Sequence, residues 1–562
     1  MDHARGVAPC TALRWLLGLL LVATFAYGYR LNVPPLLDDP NDAQYAEIAR
    51  EMVETGEWIS PQLDYTLFLN KPPLSYWLIA LSYEVFGVNE AAARLPGVLT
   101  ALALLLLVWR LGRALWNDSI GVLAAAVLLG TAGVLLEARQ VRPDLLLTTA
   151  TTGALLAATR LAHASHYAEM RGARIGLQLA LAAGLLAKGM IGLVLPSSAV
   201  FIAMLAARNV KWLRGLFTLR AWWLFILVVT PWHVAVAMRH PGFGWDYTVN
   251  QHLLFLLDRK VPRDSNGIAL WQFWTAFAIR ALPWTLLVPT ALIRAWPVAA
   301  ESRDRWAAGL VWGWVAAVMG MFSLTPSRLE HYAIPALPAC ALAVAAWIGR
   351  APRPRVVALH LLPLVALGIA APLALPAIVA GQDWLNAVKG LPDVARAAGV
   401  LLALGSVASV ALAGRPQWVA LPLVAMMCAI VPSMQHGLTL LAPFNSSAEL
   451  SAVIRSLTSE DDTLVYEAPM EYQSGAGLCF YTHRKWLMLR PAGFVSPPYL
   501  APHENELFIS RDELERRWQT ERIFLVSDPL AERRTSMKGV VPEPFWIIAH
   551  SNNRWIVSNE RP

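Results

Sequence analysis

Long apolar runs recur along the first 440 positions of this 562-residue chain, and they limit its fold more than any other feature. A run of roughly 20 apolar residues can cross a hydrocarbon core as a helix. With no water in that core, each spanning segment must satisfy its own backbone N–H and C=O groups, which makes repeated runs of this kind helices. The segments lie at about 10–28, 92–115, 119–137, 143–163, 175–188, 190–207, 218–237, 272–294, 306–324, 332–349, 355–380, 396–413 and 417–437. Composition agrees, with 56% hydrophobic and only 15% charged residues, where a soluble domain carries about a quarter charged. The net charge of +7 invites a nucleic-acid reading. The basic residues cluster between apolar runs, however, as membrane topology requires, and no nucleic-acid partner is expected. Residues 15–26 could pass for a signal peptide, but no small-residue cleavage site leads into soluble sequence, so they read as an uncleaved first span. Cys10, Cys340, Cys428 and Cys479 show neither zinc-like spacing nor a disulfide framework.

Thirteen spans put the two termini on opposite sides. With the N-terminus in the cytoplasm, the inside loops hold Arg110 and Arg113; Arg160, Arg171 and Arg174; Arg208, Lys211, Arg214 and Arg220; Arg294, Arg303 and Arg305; Arg350, Arg353 and Arg355; and Arg415. Every inside loop is then basic, as the positive-inside rule demands. The outside holds residues 29–91, residues 238–271 and the tail. The expected division is a membrane domain over 1–440 and an external α/β domain over 441–562, with strands near 463–467, 523–526, 546–549 and 555–558 and a helix near 511–519.

Lys71, Arg139, Arg142, Lys188 and Arg328 break the rule, because they sit at outer ends of spans. Each alone could snorkel or form a local ion pair. Together they suggest a bound anion, and at an outer membrane face a lipid phosphate is the natural one. Asp38, Asp39 and Asp42 follow the first span directly. Capping of the next helix accounts for one aspartate; three suggest a carboxylate for proton transfer or for orienting a leaving group. In that helix Ile48, Met52 and Val53 share one side while Glu47, Arg50 and Glu51 lie elsewhere, which predicts a helix lying in the membrane interface. A second interfacial helix is expected to start at the prolines of Lys-Pro-Pro-Leu-Ser-Tyr-Trp (71–77), with Lys71 and free backbone N–H groups favouring an anion at its start. Arg280 lies inside a predicted span and needs an acidic partner or a cavity.

These motifs resemble a known family. Tyr-Ala-Glu-Ile-Ala-Arg-Glu-Met (45–52), Gly-Glu-Trp (56–58), the 71–77 motif, Ala-Lys-Gly (187–189) and the Phe-Ser…Arg…His-Tyr-Ala-Ile-Pro stretch (322–335) are similar to bacterial GT-C membrane glycosyltransferases. The nearest branch is the lipid A aminoarabinose transferase with its protein-mannosyltransferase-like relatives. The resemblance implies an α-helical polytopic GT-C fold with about 13 transmembrane helices, two interfacial helices and a small C-terminal α/β domain in the periplasm of a bacterial inner membrane. It implies transfer of a sugar from a polyprenyl (undecaprenyl) phosphate to a periplasmic acceptor such as lipid A or another glycolipid, by a monomer.

Carried over by position, Lys71, Arg328 and Tyr332 are donor-phosphate residues, Asp144 is an acidic site residue, and His252 belongs to the site with Tyr45 of the 45–52 motif; Arg142 and Lys188 join the phosphate residues from the outer-face set of cations. Two departures stand out. The usual catalytic aspartate position holds Asn41, so Asp42 or Asp39 is expected to supply the carboxylate. The glutamate that usually precedes the lysine is Asn70. In the aminoarabinose branch that glutamate and the histidine can hold a metal; here only His252 remains with an amide, a poor zinc ligand, and no divalent metal or other cofactor is assigned. A protein O-mannosyltransferase-like enzyme, a lipid-linked sugar flippase and an inactive binding protein are the competing readings. A flippase would carry polar groups through the membrane depth, whereas the informative charges here gather at one face.

Overall fold

The computed structural model describes residues 9–37, 42–164, 166–208, 222–262, 267–295, 302–380, 388–467, 472–490, 494–527, 541–551 and 554–561. Each of the thirteen apolar segments carries helix. Among the described residues, seven helices are long and apolar enough to cross a membrane: Glu90–Leu115, Asp144–His163, Ser302–Leu324, Glu330–Gly349, Pro354–Ala374, Leu391–Ala411 and Pro416–Asn445. The protein is a multi-pass membrane protein.

Two of the expected spans are broken. The 119–137 segment divides into helices Asp118–Leu129 and Ala132–Glu137, and the 272–294 segment into Leu270–Arg280 and Leu287–Arg294. Pro283 has no N–H to continue its helix. The breaks satisfy each other: the Ala132 N–H donates to the Leu282 carbonyl at 2.9 Å. Such pairing is what non-helical backbone needs at membrane depth. Gly133 permits the approach, since a Cβ there would sit 3.0 Å from the Arg280 carbonyl oxygen.

The chain divides into two compact units. The first comprises residues 1–31, 94–231 and 267–437. Its centre is the Leu337–Gly349 helix, buried at every position from Leu337 to Ile348. A helix that is apolar all round belongs in such a place. It packs on the Asp118–Leu129 and Leu287–Arg294 helices, and Trp284, Trp306 and Trp314 are fully buried within the same core. Helices Tyr167–Lys188 and Ile191–Ala207 form a tight hairpin. Gly189 turns the chain at φ +80°, and a Cβ on Gly192 would meet the Gly184 carbonyl oxygen at 2.3 Å. Only glycine tolerates both demands. The hairpin places Lys188 at the turn.

The second unit comprises residues 32–93, 232–266 and 438–562. It holds a small hairpin, β1 (Gln62–Leu63) and β2 (Thr66–Leu67). Its sheet contains β3 (Thr463–Glu467), β4 (Leu487–Leu489), β5 (Phe508–Ile509), β6 (Ile523–Ser527), β7 (Trp546–Ser551) and β8 (Arg554–Ser558), in the order β5-β4-β3-β6-β8-β7. The β5-β4-β3-β6 half is parallel, and β8 and β7 add antiparallel strands. Val465, Leu514, Trp518, Leu525 and Val557 form its core.

One expectation is corrected here. The Asp42–Thr55 helix is not half-exposed: every residue from Asp42 to Met52 is buried. It packs against the Leu74–Phe86 helix, the β1 strand and the Ala476–Thr482 helix, all within the second unit. Arg50 neutralises part of its acidic charge. The Arg50 guanidinium donates twice to Glu47, each bond 2.7 Å, and also contacts Glu54 and the Tyr65 hydroxyl. Amphipathicity in the sequence here belongs to a helix buried within the second unit, with Glu47 and Arg50 paired inside it.

Candidate active site

The strongest constellation lies in the first unit, and the helix hairpins create it. Asp144 opens the Asp144–His163 helix and Lys188 closes the following, antiparallel Tyr167–Lys188 helix, so the two meet at one end of the pair. The Lys188 ammonium donates to Asp144 Oδ1 at 2.5 Å. It also lies 4.7 Å from the centre of the Tyr332 ring, a cation–π distance. Asp144 is 2% exposed and Lys188 13% exposed. Arg142 donates to Glu137 at 2.8 Å and contacts Gln140. Its other terminal nitrogen lies 3.2 Å from His331 Nδ1. A guanidinium has only donors, so Nδ1 accepts and the His331 proton sits on Nε2. That nitrogen faces Asp144 Oδ2 at 3.9 Å.

The result is two cations, each fixed by a buried carboxylate, with an imidazole between them. An ammonium has three donors, and Asp144 takes one. Low-dielectric surroundings strengthen what such fixed cations can do for a phosphate, because no reorganisation is needed when charge develops.

The five outer basic residues thus divide. Arg142 and Lys188 join this cluster. Arg139 does not: it donates to the carbonyls of Tyr27 (2.7 Å) and Tyr29 (2.5 Å), closing the C-terminal end of the Pro9–Gly28 helix. Arg328, expected on the donor phosphate, likewise directs its donors to the carbonyls of Phe322 and Ile268 at 3.0 Å and Ser323 at 3.3 Å. Cations at helix C-termini meet carbonyls left without intrahelical partners. Arg280 finds the acid it needs, Glu330 at 3.4 Å.

The remaining expected residues belong to the second unit. Asp42 is buried and begins the Asp42–Thr55 helix; Asp39 and Asn41 lie outside the described residues. Tyr45 packs against Tyr76 with ring centres 5.4 Å apart. Lys71 precedes the Leu74–Phe86 helix, whose N-cap is Pro73. Asn70 Oδ1 accepts from the Tyr499 hydroxyl at 2.8 Å and from Gln251 at 3.2 Å. His252 lies on the Asp246–Leu254 π-helical turn and bonds through Nδ1 to the Tyr247 carbonyl. Burial pushes its pKa down and Lys71 adds to the effect, so the ring is neutral near pH 7. These residues fit a divalent cation poorly. The amide oxygen at Asn70 already serves two donors, and the imidazole is accompanied by a lysine rather than by a carboxylate.

His331, Glu137 and Gln140 were not expected. The His331-Tyr332 pair is visible in the sequence, but its spacing does not show that the histidine meets Arg142. Glu137 reads as the end of a span until the break at Gly130 and Thr131 turns it toward Arg142.

Comparison with known proteins agrees with this picture. Residues 70–234 match the family described as dolichyl-phosphate-mannose-protein mannosyltransferase. An undecaprenyl phosphate-alpha-4-amino-4-deoxy-L-arabinose arabinosyl transferase of Pseudomonas fluorescens is 30% identical over 332 residues, 58% of each chain. A counterpart from Yersinia pestis is 29% identical over the same share. The match thus spans under two thirds of those relatives. In structure, ArnT from Cupriavidus metallidurans in the apo state superposes with a TM-score of 0.84 at 21% identity, covering 98% of both chains. The same protein bound to undecaprenyl phosphate gives 0.81 at 20% identity, covering 99% of both. The resemblance drawn from the motifs is therefore borne out, and the chain has the GT-C fold of these membrane glycosyltransferases.

Proposed function

We propose that the protein transfers a sugar from an undecaprenyl-phosphate carrier to an acceptor at the outer face of a bacterial inner membrane, with its N-terminus in the cytoplasm and its C-terminal sheet in the periplasm. The observation that carries this reading is the Asp144–Lys188 pair beside Arg142, His331 and Tyr332. It holds two cations at one end of the membrane helices, where the positive-inside rule does not call for them. The similarity to arabinosyl transferases acting on an undecaprenyl-phosphate aminosugar supports the donor class. In this reading Lys188 and Arg142 stabilise the phosphate as it leaves, which is where an enzyme of this kind gains most. Asp42 or Asp39 supplies the carboxylate that the resemblance places at Asn41, and Lys71 serves the donor phosphate by the same resemblance. A metal has no part in this reading, because Asn70 already accepts from Tyr499 and Gln251. Lipid A is the proposed acceptor. A serine or threonine acceptor is the second reading, favoured by the mannosyltransferase family match.

The test is transfer from labelled undecaprenyl-phosphate aminoarabinose to lipid A or to a Ser/Thr peptide by the purified protein. Lys188→Met is expected to lower transfer about 100-fold, the usual cost of removing one such electrostatic contact. Full transfer by this variant, or lipid movement across vesicles with no transfer to either acceptor, overturns the reading.

A further inference from the structure

The Asp144–His163 helix is 20 residues long, so about 30 Å separate its ends. At the end away from Asp144, three helices of the first unit frame a half-open depression of about 450 Å³. That lies within the roughly 300–1,000 Å³ of small-molecule sites. Arg160, His163 and Thr159 line it from the C-terminal turn of this helix. Glu169 and Gly172 line it from the start of the Tyr167–Lys188 helix, and Ala114 from the end of the Glu90–Leu115 helix. The Ser302–Leu324 helix fixes the wall. Trp306 donates to Thr159 Oγ1 at 3.2 Å and meets the His163 ring edge-on at 6.0 Å, and Arg303 donates to the Ala114 carbonyl at 3.1 Å.

Like charges are gathered around this space. Arg110 and Arg113 act electrostatically on Arg160, and Arg303 acts on His163. Arg113 has an ion pair with Asp118 at 3.4 Å, and Glu169 is the carboxylate in the lining. Positive-inside topology accounts for basic residues at this end. It does not account for a depression between helix ends whose lining brings Arg160 and His163 together, with Glu169 as the one carboxylate. We infer that the depression binds a phosphate group, carried either by an anionic phospholipid headgroup or by a soluble phosphate ester. Basic pockets between helix ends at a membrane face suit such headgroups, and the ligand would use none of the residues at the Asp144 end.

Gly172 gives a clean test, because a Cβ there would meet nothing within 4 Å. Gly172 lines the depression, so Gly172→Leu narrows it, removes no charge and favours the helix. The full-length protein, purified in detergent, is loaded with phosphatidylglycerol or phosphatidylcholine and washed, and retained lipid is counted by native mass spectrometry. The wild type is expected to keep phosphatidylglycerol in preference. Arg160→Gln and Gly172→Leu should each lower the retained amount about fivefold, while Arg415→Gln, on another basic loop, leaves it unchanged. Competition by millimolar inorganic phosphate identifies a site that reads phosphate alone; no competition identifies the lipid headgroup. Retention by Gly172→Leu equal to the wild type, or an equal loss in Arg415→Gln, overturns the proposal.

Discussion

Lys188 and Asp144 stand 44 residues apart and hold each other at 2.5 Å with little access to water. Breaking a buried pair by removing one partner leaves an uncompensated charge, at a cost of roughly 3–5 kcal/mol, whereas replacing both with apolar residues is often neutral. This separates structural from functional roles. Asp144→Asn is expected to lower the thermal midpoint, and Lys188→Met/Asp144→Leu to restore it, while sugar transfer stays lost in both. A double variant that regains transfer would show the pair to be structural only. Both residues are legible in the sequence, Lys188 as a basic residue at a span end and Asp144 through the resemblance, but their pairing is not. What was not legible is why Arg142 joins them and Arg139 does not. The two are three residues apart in one turn, with the same charge and the same apparent exposure. Only the carbonyls at the end of the first helix, contributed by Tyr27 and Tyr29, claim one of them.

At the scale of elements, the apolar runs locate each of the seven helices that are long and apolar enough to cross a membrane among the described residues, because length and hydropathy need no register. The breaks at Gly130–Thr131 and at Pro283 are hidden, since apolar residues continue on both sides of each. Strands β4 and β5, of three and two residues, were too short to show alternation. The Asp42–Thr55 helix is legible in the sequence, but the burial of its charges is not, because the chain does not show which groups will enclose them. One such group is Asp64, fully buried in the β-turn after β1. Its Oδ1 accepts the Trp486 N–H at 2.8 Å. Burial raises its pKa to about 7, which the Trp486 N–H opposes and Glu47 reinforces. A carboxyl raised in the folded state holds its proton there after the unfolded chain has lost it. Its stabilisation is full below the unfolded pKa of about 4 and disappears as pH rises through about 7. Relative to Asp64→Asn, the wild type should therefore lose thermal stability between pH 4 and pH 7 and no further above it. A difference that grows with pH instead would show that Asp64 is ionised in the fold.

For the whole molecule, the proposed orientation predicts which surfaces face the medium. Asn117 opens the Asp118–Leu129 helix beside the basic ends, and Asn505 lies in the C-terminal region. In spheroplasts, with the four native cysteines replaced, a membrane-impermeant maleimide is expected to label Asn505→Cys and not Asn117→Cys. The reverse pattern would invert the topology. The second unit also sets a schedule for biosynthesis. Asp64 must wait for Trp486, 422 residues later, and the Leu36 N–H for the Tyr481 hydroxyl, 445 residues later. At about 5–20 residues per second, a ribosome needs roughly 20 to 90 s to cover that distance. For that interval the first outer segment exists with its acids and arginine made but its C-terminal partners not yet synthesised. Quality control that samples nascent membrane proteins therefore meets this segment exposed, and a chain stopped short of the sheet never closes it.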